Sequence, residues 1–327
     1  MPEHESSEHL DAAWAAAPAF GLEPESISVI SRSENVVCAA TLGSGERLIM
    51  RLHRPGYNNL AELNSEVQWV AALADAGIPV PAAVPTVDGG HYTETRVGDE
   101  VVHVGVVRWV DGKPLGGVRH AETANISDQY QRIGELSAAI HQQSIGWTLP
   151  DGFVRRRWNT ECLLGDNPLW GRFWEVAALS DEQRTLFADA RSRLTKELSG
   201  FPTDADHFGL IHADLHLGNL MADGDRLTVI DFDDAGFGWF PYELAISLHP
   251  VVDEPWFPDA RAALVRGYRS VRPLGEAEES WIETFLAVRA LMIVGWLADR
   301  PEVPLHAHFD ALAAQTERIV RGYLAAK

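Results

Sequence analysis
Residues 212–219 read His-Ala-Asp-Leu-His-Leu-Gly-Asn, and a second run, Leu227-Thr-Val-Ile-Asp-Phe-Asp-Asp234, follows soon after. Asp214 is a lone carboxylate, Asn219 comes five residues later, and Asp231 ends an apolar strand twelve residues beyond Asn219. A carboxylate can orient an attacking hydroxyl, and an amide oxygen and a second carboxylate can hold a hard cation. Together these are the parts that phosphoryl transfer asks of a protein, which otherwise mainly positions groups and balances charge. Any one of these residues alone reads as an ordinary turn or loop cap. The joint pattern of strand, His-x-Asp-x-x-x-x-Asn, hairpin and Asp-Phe is specific.

Outward from this stretch the chain changes character. Segments 27–31, 35–42 and 47–53 are short and rich in β-branched and apolar residues, with Gly43-Ser-Gly45 as a hairpin turn. Leu63, Val67, Val70 and Leu73 form an apolar stripe that predicts a helix over 60–76, ended by Gly77, Pro79 and Pro81. Two more strands are expected at 91–96 and 101–110. Beyond the breaker-rich 111–117, helices are expected at 126–144, 181–198, 259–271, 276–299 and 305–325, the second opened by the capping box Ser180-Asp-Glu-Gln183. Inside this helical half, residues 209–232 read as two short strands around Ala222-Asp-Gly-Asp225. The fold class is α+β and bilobal. A β-rich N-terminal lobe covers 1–107, a link 108–117, and a larger helical lobe 118–327, with a cleft expected between the lobes.

Composition bounds the function. The chain has 327 residues, enough for two substantial cores, and a formal net charge of −20. That charge argues against nucleic acid and acidic membrane surfaces as partners; it can favour cationic substrates, but such charge is more often a solvated surface that aids solubility. Two cysteines far apart, an acidic N-terminus without a signal-peptide pattern, and no long apolar run predict a cytoplasmic protein.

Several further residues carry candidate roles. Arg51 lies on the third strand, with Met50 and Leu52 on the opposite face. Glu66 shares the apolar stripe of the following helix, where a carboxylate needs a partner. Arg51 braced by Glu66 would grip phosphates. The turn Ser31-Arg-Ser-Glu-Asn35 could cover phosphates with backbone N–H groups, which makes Ser33 and Asn35 candidates. Asp233, Asp234, Glu243, Trp239 and Tyr242 could line a pocket for a cationic or hydroxylated substrate, with core packing as the alternative for Trp239. Arg155-Arg-Arg157 reads as a solvated face. His212 and His216 invite a zinc-site reading, but no further ligands stand at a convincing spacing. Structural bonding for His212 and a place on the substrate side for His216 are the better expectations.

Leu210–Leu220 and Val229–Asp233, supported by 50–57, 108–112 and 133–141, resemble the aminoglycoside phosphotransferase family within the protein-kinase-like fold. The resemblance covers about 25–300. It implies Asp214 as catalytic base, Asn219 and Asp231 as Mg²⁺ ligands, ATP as donor, and a nucleotide-binding backbone around Trp109. It departs at Arg51, where the family usually has Lys, so the phosphate grip differs in geometry. His216 replaces the Lys of ordinary Ser/Thr protein kinases. The expectation is an ATP- and Mg²⁺-dependent kinase of a small-molecule hydroxyl, amino-bearing acceptors included. The alternatives are a bacterial stress-response-type Ser/Thr protein kinase and a catalytically silent nucleotide-binding module.

Overall fold
The computed structural model describes residues 2–32, 35–117, 120–121, 125–301 and 303–326. It is a mixed fold, with an antiparallel sheet in the N-terminal part and mostly helices after it. The chain divides into two compact units. The first comprises Met1–Lys113, Thr148–Arg155 and Met221–Asp233, and the second Pro114–Trp147, Arg156–Leu220 and Asp234–Lys327.

In the first unit, strands β1 (Pro24–Arg32), β2 (Val36–Leu42), β3 (Arg47–Leu52), β4 (Ala83–Val84), β5 (Tyr92–Val97) and β6 (Glu100–Arg108) form one sheet. Its order is β1-β2-β3-β6-β4, with β5 also on β6. The pleat decides which residues meet the core. Cys38 and Ala40 of β2, Leu48, Met50 and Leu52 of β3, and Val102, Val104 and Val106 of β6 are buried on one face. Arg51 therefore faces the other way, opposite Val37 and Gly105 in register. A helix the sequence reading did not anticipate, Pro2–Ala16, covers that core face with Ala12, Ala13 and Ala16. Its polar, acidic sequence hides the signal, because small alanines rather than large apolar residues make the contact.

The helix Leu60–Asp75 starts on a capping box between Asn59 and Glu62 and buries Leu63, Glu66, Trp69 and Leu73. Trp69 meets Phe232 edge-on at 5.7 Å, which ties this helix to the Asp231–Asp233 segment. The expected hairpin is present as strands Leu220–Asp223 and Arg226–Val229, with Gly224 in the left-handed region (φ 56).

The second unit is built on helix-to-helix packing. Helices Ile126–Gly146 and Phe257–Val271 approach so closely that a Cβ on Gly267 would lie 1.9 Å from the Gln131 carbonyl oxygen. A Cβ on Gly134 would lie 2.1 Å from the Leu264 carbonyl oxygen. Glycine at both positions lets backbone meet backbone. The helix Glu276–Ala298 is long and apolar enough to cross a membrane (mean hydropathy 1.6), but 72% of its apolar stretch is buried, as in a core helix. Its bounds match the helix expected at 276–299. A strand Phe208–Ile211 pairs antiparallel with Gly236–Trp239, which leads directly into the helix Phe240–Leu248.

Candidate active site
Ile211 ends its strand, and the chain turns through His212 and Ala213 to Asp214. Ala213 has φ 64, a conformation that L-residues other than Asn and Asp seldom adopt. The fold holds it there through Glu243, in the first turn of the helix Phe240–Leu248. Glu243 Oε2 accepts the Ala213 N–H at 2.7 Å, and Oε1 accepts the His212 N–H at 3.2 Å. One turn further along that helix, Ser247 Oγ donates to the Leu215 carbonyl at 2.6 Å. Two side chains on one helix face thus fix the loop on both sides of Asp214. Glu243 is wholly buried. Burial pushes its carboxyl up to about 8, against the two backbone N–H groups that favour ionisation. The expectation of Glu243 as a pocket-lining residue is corrected, because its carboxylate is directed at the loop backbone.

Asp214 is held on both oxygens. Arg289 Nη2 meets Oδ1 at 2.7 Å, Asn219 Nδ2 donates to Oδ2 at 3.0 Å, and His216 Nε2 stands 3.4 Å from Oδ2. Asn219 Nδ2 also donates to the Asp214 carbonyl at 2.9 Å. Because the amide nitrogen is committed to Asp214, Oδ1 is the Asn219 atom that can face a cation. His212 Nδ1 accepts the Asp214 N–H at 3.2 Å, and His216 Nδ1 accepts the Gly218 N–H at 3.0 Å. Burial alone would raise the Asp214 carboxyl. The His216 hydrogen bond and the Arg289 charge outweigh it and hold the group well below the usual carboxylate range.

Arg289 was not among the sequence candidates. It lies mid-helix in Ala287-Val-Arg-Ala-Leu-Met292, buried, with its guanidinium 4.8 Å from the Trp170 ring centroid. An arginine inside an apolar helical run was the available signal, since a buried charge needs a partner.

The first unit gathers a second charged cluster. Arg51 Nη2 meets Asp231 Oδ1 at 2.7 Å and Asp233 Oδ1 at 3.0 Å, while Nη1 stands 3.7 Å from Glu66 Oε1. Asp231 itself has φ 68 and a side chain 46% exposed, so its carboxylate is presented outward on a strained backbone. Asp233 is buried. Asn35 Nδ2 donates to it, and His53 Nδ1 lies 3.6 Å away. Asn35 Oδ1 also accepts the Arg54 N–H at 3.0 Å. Burial drives His53 down to about 4, so it is neutral near pH 7. Burial, reinforced by Asp233, lifts Glu66 to about 7 against Arg155 and Arg51.

Arg155 completes this cluster. Its Nη1 meets Glu66 Oε2 at 3.4 Å, and its Nη2 donates to the carbonyls of Phe232 (3.0 Å) and Asp233 (2.8 Å). The reading of 155–157 as a solvated face is corrected for Arg155 and Arg156, whose side chains are only 1% and 6% exposed, and holds for the exposed Arg157. Arg156 Nη1 pairs with Asp234 Oδ1 at 3.3 Å within the second unit.

The expected site residues therefore fall into distinct places. Arg51, Glu66, Asn35, Asp231 and Asp233 meet in the first unit. Asp214, Asn219 and His216 meet in the second. Trp109 stands apart with the Arg47 guanidinium 4.0 Å over its ring, and its N–H reaches the Arg47 carbonyl at 3.4 Å. Ser33 lies outside the described residues. Trp239 packs in the core against Phe208 and Phe285, and its indole N–H donates to the Pro202 carbonyl at 2.8 Å. That placement replaces a pocket-lining role for Trp239 with core packing.

The second unit thus holds Asp214 and Asn219 together on one hydrogen-bonded turn, and the first presents Asp231 just beyond a strand end. The chain belongs to the phosphotransferase enzyme family, whose model (APH) matches residues 26–283. The microcompartment-associated aminopropanol kinase superposes with a TM-score of 0.86 at 30% identity, covering 97% of this chain and 98% of that one. Amicoumacin kinase of Bacillus subtilis (strain 168) is 26% identical over 292 residues, which is 86% of this chain and 82% of that protein. The fold is also that of amicoumacin kinase hAmiN, solved with AMP-PNP, Ca²⁺ and Ami, with a TM-score of 0.79 at 21% identity over 98% of this chain and 95% of that one. The protein is accordingly a kinase of the small-molecule type, and the protein-kinase alternative gives way.

Proposed function
We propose that this protein transfers the γ-phosphoryl group of ATP, bound with Mg²⁺, to the hydroxyl of a small amino-bearing alcohol in the cytoplasm. The observation that carries the proposal is the Asp214 carboxylate, fixed on a strained turn by Glu243 and held by Arg289, Asn219 and His216. Three donors reach it, and a carboxylate accepts about four, so one further donor, the acceptor hydroxyl, can be received. The hydroxyl oxygen forms the new bond to the γ-phosphorus, the bond from that phosphorus to the β,γ-bridging oxygen breaks, and ADP leaves. Asp214 orients the hydroxyl and accepts its proton as the bond forms.

Asn219 Oδ1 and the Asp231 carboxylate are the oxygens assigned to Mg²⁺, which neutralises phosphate charge when bound. Among the described residues no three His, Cys, Asp or Glu side chains gather to hold a metal. A donor set of one amide and one carboxylate oxygen suits Mg²⁺, which takes its remaining ligands from phosphates and water. Arg51, braced by Glu66, is assigned to the phosphates, and the backbone around Trp109 to the base. The amino-bearing acceptor is supported by the aminopropanol kinase likeness and by a net charge of −20, which attracts cations. The test is ADP release from ATP and Mg²⁺ with a panel of amino alcohols and amine-free alcohols. Turnover that prefers the amino alcohols supports the assignment. No turnover with any of them, or equal turnover of amine-free analogues, overturns it.

A further inference from the structure
An amino alcohol has two ends that an aspartate can bind. Its ammonium would form an ion pair with a bare carboxylate more strongly than its neutral hydroxyl would form a hydrogen bond. An uncompensated Asp214 would therefore draw the substrate in backwards, with the amine where the hydroxyl must be. We propose that Arg289 prevents this: it neutralises Asp214 and repels an ammonium, so that the catalytic carboxylate receives only the hydroxyl end. The inference rests on the amino-alcohol reading above and assigns Arg289 as a specificity-determining residue that acts through Asp214.

Three observations support it. The Arg289 guanidinium lies 2.7 Å from Asp214 Oδ1, so the two charges cancel locally. The Arg289 side chain is 7% exposed, against 26% for Asp214. The cation thus lies behind the carboxylate, seen from solvent, and its charge is weakly screened. The Trp170 ring lies 4.8 Å from the guanidinium, and Arg289 is buried on its helix Glu276–Ala298, so the guanidinium is held against displacement by an arriving amine.

The tests use Arg289→Gln and Arg289→Met, which remove the charge, and Arg289→Lys, which keeps it, each checked for native near-UV circular dichroism. Propylamine carries the amine without a hydroxyl, and propanediol a hydroxyl without the amine. Calorimetry is expected to show propylamine binding at least about tenfold tighter to the Gln and Met variants than to wild type, with the Lys variant near wild type. In turnover, kcat and KM for aminopropanol are expected to fall together in the neutral variants, the mark of non-productive binding, while KM for propanediol does not fall. Unchanged or weaker propylamine binding in a folded neutral variant overturns the inference.

If neither neutral variant folds, Asp214→Asn supplies the complementary test. It leaves the Arg289 charge uncompensated, so propionate is expected to bind at least about tenfold tighter than to wild type. No gain means that the Arg289 charge is not felt at the acceptor position, which also overturns the inference. Wild-type protein that turns over no amino alcohol defeats the acceptor reading, whereas the calorimetric results bear on Arg289 without any turnover.

Discussion
Replacing Arg51 tests the charged cluster of the first unit. Its guanidinium spans three carboxylates, at 2.7 Å (Asp231), 3.0 Å (Asp233) and 3.7 Å (Glu66). The three are not equal. The Asp231 side chain is 46% exposed, so its pair contributes about 0–1 kcal/mol. Asp233 and Glu66 have side chains only 10% and 7% exposed. Arg155 still serves Glu66 after the change, but its other arm is on backbone carbonyls rather than on the Asp233 carboxylate. Arg51→Met therefore leaves Asp233 without its guanidinium, the situation in which breaking a buried pair costs about 3–5 kcal/mol. Arg51→Lys retains a charge near Asp231 and Asp233 but cannot also reach Glu66, for an expected loss of about 1–2 kcal/mol. Urea unfolding followed by tryptophan fluorescence reads both. Met is expected to lower stability at least twice as much as Lys, and added salt is expected to change the difference little. A Met variant within about 0.5 kcal/mol of wild type, the range of an ordinary surface change, would refute the reasoning.

The remaining expectations are as follows. His53, held near 4 by burial, and His141, also held well below its ordinary value by burial, take up protons in the unfolded chain before they do so in the folded one. Stability is therefore expected to fall as pH drops from about 6.5 towards 4. His141→Gln is expected to flatten that slope in urea titrations, and an unchanged slope counts against the assignment. Glu243 has the opposite sign: its carboxyl sits near 8 when folded, above the 4.5 of an unburied glutamate, so its contribution to stability declines from about pH 4.5 to 8. Glu243→Gln is expected to remove that decline, measured as the difference in unfolding free energy between pH 5 and pH 8. Gly267→Ala forces a Cβ to within 1.9 Å of a carbonyl oxygen and is expected to destabilise by about 3 kcal/mol or more, visible as a lower melting temperature. Asp231→Asn is expected to raise the Mg²⁺ concentration needed for half-maximal activity and to weaken Mn²⁺ binding measured by electron paramagnetic resonance, and unchanged Mn²⁺ binding would remove Asp231 from the metal site.

Much of the fold was legible because its signals are local. The stripe from Leu63 to Leu73, the capping box at Ser180 and the turn at Ala222–Asp225 each lie within a few turns of chain, and the elements they predict are present. The loop from His212 to Asn219 was legible for the same reason. What escaped depends on distant partners. Arg289 meets Asp214 across 75 residues of sequence, and Arg155 meets Glu66 across 89. Two of a run of three arginines, Arg155 and Arg156, look solvated until the fold supplies carbonyls and carboxylates for them. Glu243 and Trp239 were placed near the right segment but with the wrong exposure, because a short sequence window does not say that the Gly236–Trp239 strand end and the whole Phe240–Leu248 helix are covered. The helix Pro2–Ala16 was missed because its contact surface is alanine, which carries little periodic signal.

The most direct test of the account is the effect of Asp214→Asn on turnover and on nucleotide binding, measured side by side. The substitution nearly preserves shape and leaves Arg289 a hydrogen-bond acceptor but no countercharge, and it removes the group that accepts the hydroxyl proton. The account predicts that ADP release in the presence of the best amino alcohol falls by about 10²–10⁴-fold, while ATP affinity by calorimetry weakens by no more than about twofold. Turnover within tenfold of wild type, or loss of ATP binding that accounts for the whole effect, would contradict it.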